Sequence, residues 1–358
     1  MSKILKMTLK IGTHNGIFHC DESLACFLLK LLPQFKDAEI VRSRDMNVLK
    51  TCDVVVDVGG VYNHENLRYD HHQISFNQTL SSIFPKKAFA DIRLSSAGLV
   101  YAHYGHEIIA TQFNWSPKDD KTDKIFDIIY ENFIREIDAI DNGEIVFVNF
   151  KLFCCLFFYY LTGVSMFDDL PRYRIHTDLS SRVGALRPQW NEENTDSILY
   201  ERFLEAVALT GKEFLECLNY YGRIWMPARE IVQDAFDTRD EIDSSGRIVL
   251  IPQHCPWINH LMDIETEHGI EGEILYGIFE SSDSWRIRAV PTGKDGFELR
   301  LGLPKEWRGK SNEDLSNIVG IKDCVFIHSS GFIGGNKTRE GAIEMARIAL
   351  KQEIENGE

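Results

Sequence analysis

The sequence has no Cys-x-x-Cys pair among its 8 cysteines, no apolar run of bilayer length and no excess of basic residues. Each absence excludes something. Eight unpaired thiols and no secretory signal point to reduced cysteines inside the cell. The longest apolar run, Leu152 to Leu161, is too short to span a bilayer, so no membrane is expected as a partner. Lys and Arg number 39 against 54 Asp and Glu, a net charge of −15. That argues against a protein that holds nucleic acid by broad phosphate neutralisation, and leaves local positive charge or bound metal as the means. Near the start, Lys3, Lys6 and Lys10 without arginine make a poor transit signal. What is present is ordinary for a globular chain: 358 residues, 44% hydrophobic and 26% charged, enough for two domains or three.

Thr8 to Thr13, Ala38 to Val41 and Asp53 to Val58 read as strands, with an apolar helix from Ser23 to Leu32 between the first two. A short, nearly continuous valine run is what a parallel sheet covered on both faces requires. The expected class is therefore α/β, with a mostly parallel sheet in the first part. Ser95 to Tyr104 and Lys124 to Ile140 read as helices, and Tyr200 to Phe236 as a long helical region. Strands follow at Arg247 to Ile251, Glu273 to Phe279 and Trp285 to Val290, then a helix from Arg339 to Glu353. The boundaries expected are 1–198 for a catalytic domain, 199–240 for a helical linker and 241–358 for a smaller α+β substrate-binding domain.

Four clusters carry one chemistry. They are His14 to Glu22 between strand one and helix one, Asp57-Val58-Gly59-Gly60 after the valine run, Asp70-His71-His72, and Asp138 to Gly143 after a helix. Ligands collect outside the carboxyl ends of parallel strands, and three of these clusters follow predicted strands or turns in that way. Imidazole and carboxylate without a thiolate set suit Mn²⁺ or Mg²⁺, with Zn²⁺ as a further option. The inventory can hold two ions with one shared carboxylate. Two ions about 3.5–4 Å apart clamp the attacking and leaving oxygens of a phosphoryl displacement, so metal-assisted phosphoester hydrolysis is the reaction class indicated. Taken singly the residues are ordinary: Asp57 alone reads as a turn residue and Glu22 as a helix cap. Cys20 reads as a small packed side chain.

These strings resemble the DHH phosphoesterase superfamily and, within it, the Myg family of metal-dependent hydrolases and RNA exonucleases. Asp70-His71-His72 is the DHH triplet; Thr13 to Glu22 followed by Asp57-Val58-Gly59-Gly60 is the more specific match. Thr177 to Val183, Pro188 to Asn191 and Ser330 to Gly341 extend it over nearly the whole chain. The resemblance implies two bound divalent ions, Mn²⁺ first and Mg²⁺ second. It implies His14, His19 and Asp21 as one ligand group, Asp57 as the bridge, and His71 and Asp141 as further ligands, with Asp138 the alternative to Asp141. His19 stands where other DHH enzymes have aspartate. His72 would contact the scissile phosphate, Asp70 would orient a histidine, and metal-bound hydroxide would be the nucleophile. A nuclear, cytoplasmic or mitochondrial location is implied in the same way.

The segment Ser330 to Gly341 resembles the superfamily's substrate-binding motif, which implies contacts from Arg182, His328, Gly334, Gly335, Asn336, Lys337 and Arg339. Glycines without Cβ admit a close ligand, the following helix offers N–H groups to an anion, and two cations add charge. Asn336 replaces a histidine of many relatives outside this family. Residues Arg286 to Lys310 hold seven cations against three acids, with Trp285 and Trp307 interleaved, a pattern that suits a single nucleic-acid strand as well as an ordinary amphipathic sheet. The apolar stretch 145–167 departs from the polar loop of relatives and is also what a translated U-rich intron would give. The expected activity is a two-metal 3′–5′ exonuclease on single-stranded RNA. Hydrolysis of small phosphorylated molecules and a non-catalytic RNA-binding module stay as alternatives.

Overall fold

The computed structural model describes residues 8–144, 175–294 and 296–356. The stretch 145–167 lies outside them. The chain divides into two compact units, Met1–Tyr221 and Gly222–Glu358. Among the described residues no helix is long and apolar enough to cross a membrane.

Unit 1 is an α/β layer structure. Its sheet comprises β1 (Lys10–Thr13), β2 (Glu39–Arg42), β3 (Val54–Val56), β4 (Tyr62–Asn63) and β5 (Arg68–Tyr69), in the order β2-β1-β3-β5-β4. All neighbours pair in parallel except β4, which runs antiparallel to β5. The carboxyl ends of β1, β2, β3 and β5 therefore emerge along one edge. Val54, Val55 and Val56 are all buried, as a strand covered on both faces demands.

Helix α1 (Cys20–Lys30) leaves that edge after β1 and is buried along almost its whole length. It packs against α2 (Ser96–Phe113) and α6 (Asp196–Asn219). The helices α3 (Asp120–Ile129) and α4 (Arg135–Asp141) are separated by one π-helical segment, Tyr130–Ile134. Helix α5 (Leu179–Ala185) precedes α6. The long helical region expected from Tyr200 onward is α6, a π-helical segment Tyr220–Trp225, and α7 (Met226–Asp237). The division between units falls inside that π segment.

Unit 2 has five strands, β6 (Ile248–Ile251), β7 (Tyr276–Ser281), β8 (Ser284–Ala289), β9 (Cys324–Ile327) and β10 (Ile333–Asn336), in the order β6-β7-β8-β10-β9. Only β6 and β7 are parallel. One face packs Ile278, Ile287 and Ile327 against α9 (Asn312–Val319) and α10 (Arg339–Asn356). The other face packs Val249, Ile251 and Phe279 against Val232 and Phe236 of α7 and Leu261 of α8 (Ile258–His268).

Two features singled out in the sequence take their places here. The glycine pair Gly334 and Gly335, read as admitting a close ligand, lies within β10. A side chain at Gly334 would strike Ile327 Cδ1 at 2.1 Å, and one at Gly335 would strike the Trp285 carbonyl oxygen at 2.5 Å. A neighbouring side chain and the backbone of the adjacent strand occupy the space that the glycines leave. Trp307 reads as a stacking residue, yet it is buried in the unit 2 core, and Trp285 packs against the same core. Large aromatic area goes inside when the sheet face allows it.

Candidate metal centre

The parallel edge of unit 1 collects the chemistry. His14 follows β1, Asp57 follows β3, and Asp70, His71 and His72 follow β5. Asp57 has φ +57, a left-handed conformation that non-glycine residues avoid and that aspartate tolerates best. Such strain is characteristic of functional sites. It turns the carboxylate back between His14 and His71.

Three groups of potential ligands result: His14, His19, Glu22 and Asp57; Asp57, His71 and His72; and Asp21, His71 and Asp141. His14 Nε2 lies 3.1 Å from Glu22 Oε1 and 3.3 Å from Asp57 Oδ2. His71 Nε2 lies 3.3 Å from Asp57 Oδ1, 3.1 Å from Asp141 Oδ2 and 3.8 Å from Asp21 Oδ2. His72 Nδ1 is 2.7 Å from Asp70 Oδ1. The other Asp70 oxygen accepts from the Gly60 N–H at 2.5 Å.

The residues fit a cation. Asp57 Oδ1 and His71 Nε2 are buried and make no well-directed hydrogen bond, though they face each other. Buried polar atoms left this way call for an ion or water. Asp57 and His71 each belong to two of the three groups, so the groups adjoin one another. All of them stand on oxygen and imidazole donors, which suit Mn²⁺.

The electrostatics agree. Burial alone would lower the His14 pKa, but hydrogen bonds to Asp57 and Glu22 raise it to about 10. For His71 the facing carboxylates of Asp141 and Asp57 overcome burial in the same way and raise it to about 11. Asp57 moves the other way: its histidine partners outweigh burial and hold it well below the usual carboxylate range. Asp21, buried among like charges, is pushed up. Without an ion, protons on the two histidines hold the carboxylates together. A cation takes only neutral imidazole. Mn²⁺ binding at pH 7 is therefore expected to release protons, and apparent affinity to rise with pH. Calorimetry in buffers of different ionisation enthalpy measures the number; a value of zero would refute the assignment of His14 and His71.

The grouping implied by the sequence changes in one respect. The resemblance joins His14 and His19 with Asp21, but Glu22 stands beside them, while Asp21 faces His71. Consecutive residues of a helix point about 100° apart, so α1 sends Asp21 and Glu22 to different ligand groups. Glu22 also accepts the His19 N–H at 2.8 Å, so the expected cap is real as well. Asp141 stands at His71, whereas Asp138 turns to Ser95. Cys20 is buried and belongs to none of the ligand groups.

Arg44 belongs to none of the sequence motifs. It lines a gap of about 300 Å³ together with His14, His19, Asp57, Gly59, Asp70 and His72. Among the described residues it is the one arginine or lysine in that wall. Its place just past β2, on the same sheet edge, is the signal that would have found it.

The residues expected to bind substrate are scattered. Arg182 pairs with Glu213, at 2.6 Å for one of its two bonds. The buried amide of Asn336 donates to the Lys322 carbonyl at 2.8 Å, and its oxygen accepts from the Thr338 N–H and hydroxyl. It is an internal cap, which corrects its reading as a ligand contact. Lys337 lies 3.7 Å from Asp323, and Arg339 3.9 Å from Glu340. His328 is exposed, with Nδ1 2.9 Å from the Ser330 hydroxyl. Of the basic segment, Arg300 is spent on buried Glu265 and Lys294 on Asp263. Arg286 and Arg288 have no carboxylate partner among the described residues. They share the face of β8 opposite Trp285, and the Arg286 guanidinium lies 5.4 Å from the Phe326 ring centre.

Histidines and carboxylates gathered at the carboxyl edge of a mostly parallel sheet define an α/β protein with a candidate metal centre. The family model MYG1_exonuc, described as Uncharacterised protein family (UPF0160), matches residues 10–350, and the chain belongs to that family. A MYG1 protein of Caenorhabditis elegans is 47% identical over 355 residues, covering 98% of this chain and 97% of that one. The MYG1 exonuclease of Rattus norvegicus is 45% identical over 346 residues, 96% of this chain and 85% of its own length. Among solved structures, RecJ from Thermus thermophilus in complex with Mn²⁺ aligns over 97% of this chain and 52% of that chain, at 11% identity and a TM-score of 0.24, too low to argue from.

Proposed function

We propose that this protein is a divalent-metal-dependent phosphodiesterase that trims single-stranded RNA from its 3′ end. The observation that carries the hydrolytic part is the sharing of Asp57 and His71 between adjacent ligand groups. Membership of a family whose named members include exonucleases supports the substrate class, and the resemblance supplies the direction.

His14, His19, Glu22, Asp21, Asp57, His71 and Asp141 would hold the ions. Bound there, they would supply Lewis-acid activation of water and neutralise the phosphate. The chain's own groups do the rest. Asp70 anchors His72 through Nδ1 and raises its pKa, which favours the charged imidazole as a donor toward a phosphate oxygen. His72 is 63% exposed by side chain, and so reachable from solvent. Arg44 offsets the carboxylates for an incoming anion. The gap sits at the low end of small-molecule sites, which suits one terminal residue better than a folded polymer. On unit 2, Arg286, Arg288 and Phe326 combine unpaired cations with an aromatic ring, the pairing that holds single strands without sequence preference.

The test is a 5′-labelled single-stranded RNA with Mn²⁺. A ladder of shortening products supports the proposal. Hydrolysis of dinucleotides or pyrophosphate alone would replace it with the small-substrate reading. The variant Phe326→Ala is expected to raise KM about 5-fold or more on an RNA of about 20 nucleotides, given about 1–3 kcal/mol per base stacked on an aromatic ring, and to leave dinucleotide cleavage unchanged. Equal effects on both substrates would remove unit 2's face from the account.

A further inference from the structure

Asp138 is buried completely, and nothing in the proposed chemistry uses it. Its Oδ1 accepts the Ser95 N–H at 2.9 Å and the Ser95 hydroxyl at 2.7 Å. Burying a carboxylate is costly unless hydrogen bonds compensate, and Asp138 Oδ2 has no partner. A residue kept under those terms needs a reason, and the reason is visible in what Ser95 begins.

Ser95 caps α2. The first turn of a helix leaves N–H groups with no partner inside the helix. Here each of the first four has one. Ser95 N–H goes to Asp138, Ser96 N–H to Asp21 Oδ2 at 3.1 Å, Ala97 N–H to Asp21 Oδ1 at 2.5 Å, and Gly98 N–H to the Ser95 hydroxyl at 3.3 Å. One helix end thus grips two carboxylates from two other helices. Asp21 comes from α1. Asp138 comes from α4, three residues before Asp141, so the two lie on one face of α4.

The result is a closed frame. Asp141 meets His71, Asp138 meets Ser95, the α2 amides meet Asp21, and Asp21 faces His71 again. Gly98 completes it, because a Cβ there would come within 2.2 Å of the Asp138 carboxylate. Only glycine lets α4 lie this close to α2.

We infer that Asp138 is a positioning residue that sets the spacing of Asp21 and Asp141 around His71 by tying α4 to the N-terminus of α2. It touches no ion and no substrate. The inference rests on the metal centre proposed above.

The test is Mn²⁺ binding to the full-length chain, read from the loss of the free-ion electron paramagnetic signal, with circular dichroism as the check on folding. Asp138→Ala is expected to weaken Mn²⁺ about 10–100-fold, the range for outer partners of metal ligands. Asp138→Asn keeps an acceptor for Ser95 and is expected to stay within about threefold of the parent. Excess Mn²⁺ is expected to restore turnover of Asp138→Ala, which a merely misfolded variant would not show. If Asp138→Ala fails to fold, Ser95→Ala, which deletes one of the two bonds, is expected to weaken Mn²⁺ severalfold. A folded Asp138→Ala, or Ser95→Ala in its place, with parental affinity would overturn the inference and leave the metal centre standing. No Mn²⁺ binding by the parent chain would overturn both. Tight binding without RNA cleavage would sink only the nuclease reading.

Discussion

Asp57→Asn is expected to remove metal-dependent cleavage while leaving the chain folded. Asparagine is nearly isosteric with aspartate and tolerates the left-handed φ of +57 that position 57 demands. The variant therefore tests charge and not backbone. Among the described residues Asp57 alone pairs with both His14 and His71, so its loss weakens both ligand groups at once. A drop on the order of 10³-fold in turnover is expected, beyond the 10–100-fold typical of outer partners. The readout is the RNA ladder in Mn²⁺ beside the parent chain. Residual cleavage within tenfold of the parent would mean that Asp57 is a strained turn residue and no more.

The second large effect is thermal. An ion that binds only the folded chain stabilises it by mass action, about 2.7 kcal/mol at a hundredfold excess over Kd. For a unit of about 150–250 residues each kcal/mol raises Tm by about 2–4 °C. Mn²⁺ is thus expected to raise the transition of the unit holding the site by about 5–10 °C, and a chelator to reverse it. The repulsion among Asp21, Asp57 and Asp141, which the ion relieves, is the local source. Asp57→Asn is expected to abolish most of the metal increment and to raise the metal-free Tm little, because it also strands His14 and His71. Scanning calorimetry with and without Mn²⁺ decides; no shift in the parent chain would count against a resident ion.

These expectations rest on features legible to different degrees. The valine run declares a covered parallel strand, and β3 is one. Ser282-Asp283-Ser284 declares a hairpin, and β7 and β8 form it, with Ser282 in the left-handed region. The short pair β4 and β5 carries no period long enough to read. Strand β10 is concealed by its glycines, which in isolation indicate a turn; in the sheet, Ile327 and the Trp285 carbonyl take up the room they leave. Trp307 looks like a surface stacker because its neighbours are basic, but sequence cannot say which way an aromatic ring turns.

The division is the same at the site. The order of residues by itself determined the donor chemistry: imidazoles and carboxylates after strands, without thiolates, at the edge where a parallel sheet presents ligands. That much follows from residue type and strand direction. Only the tertiary structure decided the grouping. Helical rotation separates Asp21 from Glu22, Arg44 enters because β2 lies beside β1, and Asp138 leaves the ligand set because the end of α2 claims it. These outcomes depend on contacts between segments distant in sequence, such as the 43 residues between Ser95 and Asp138, and no local pattern encodes them.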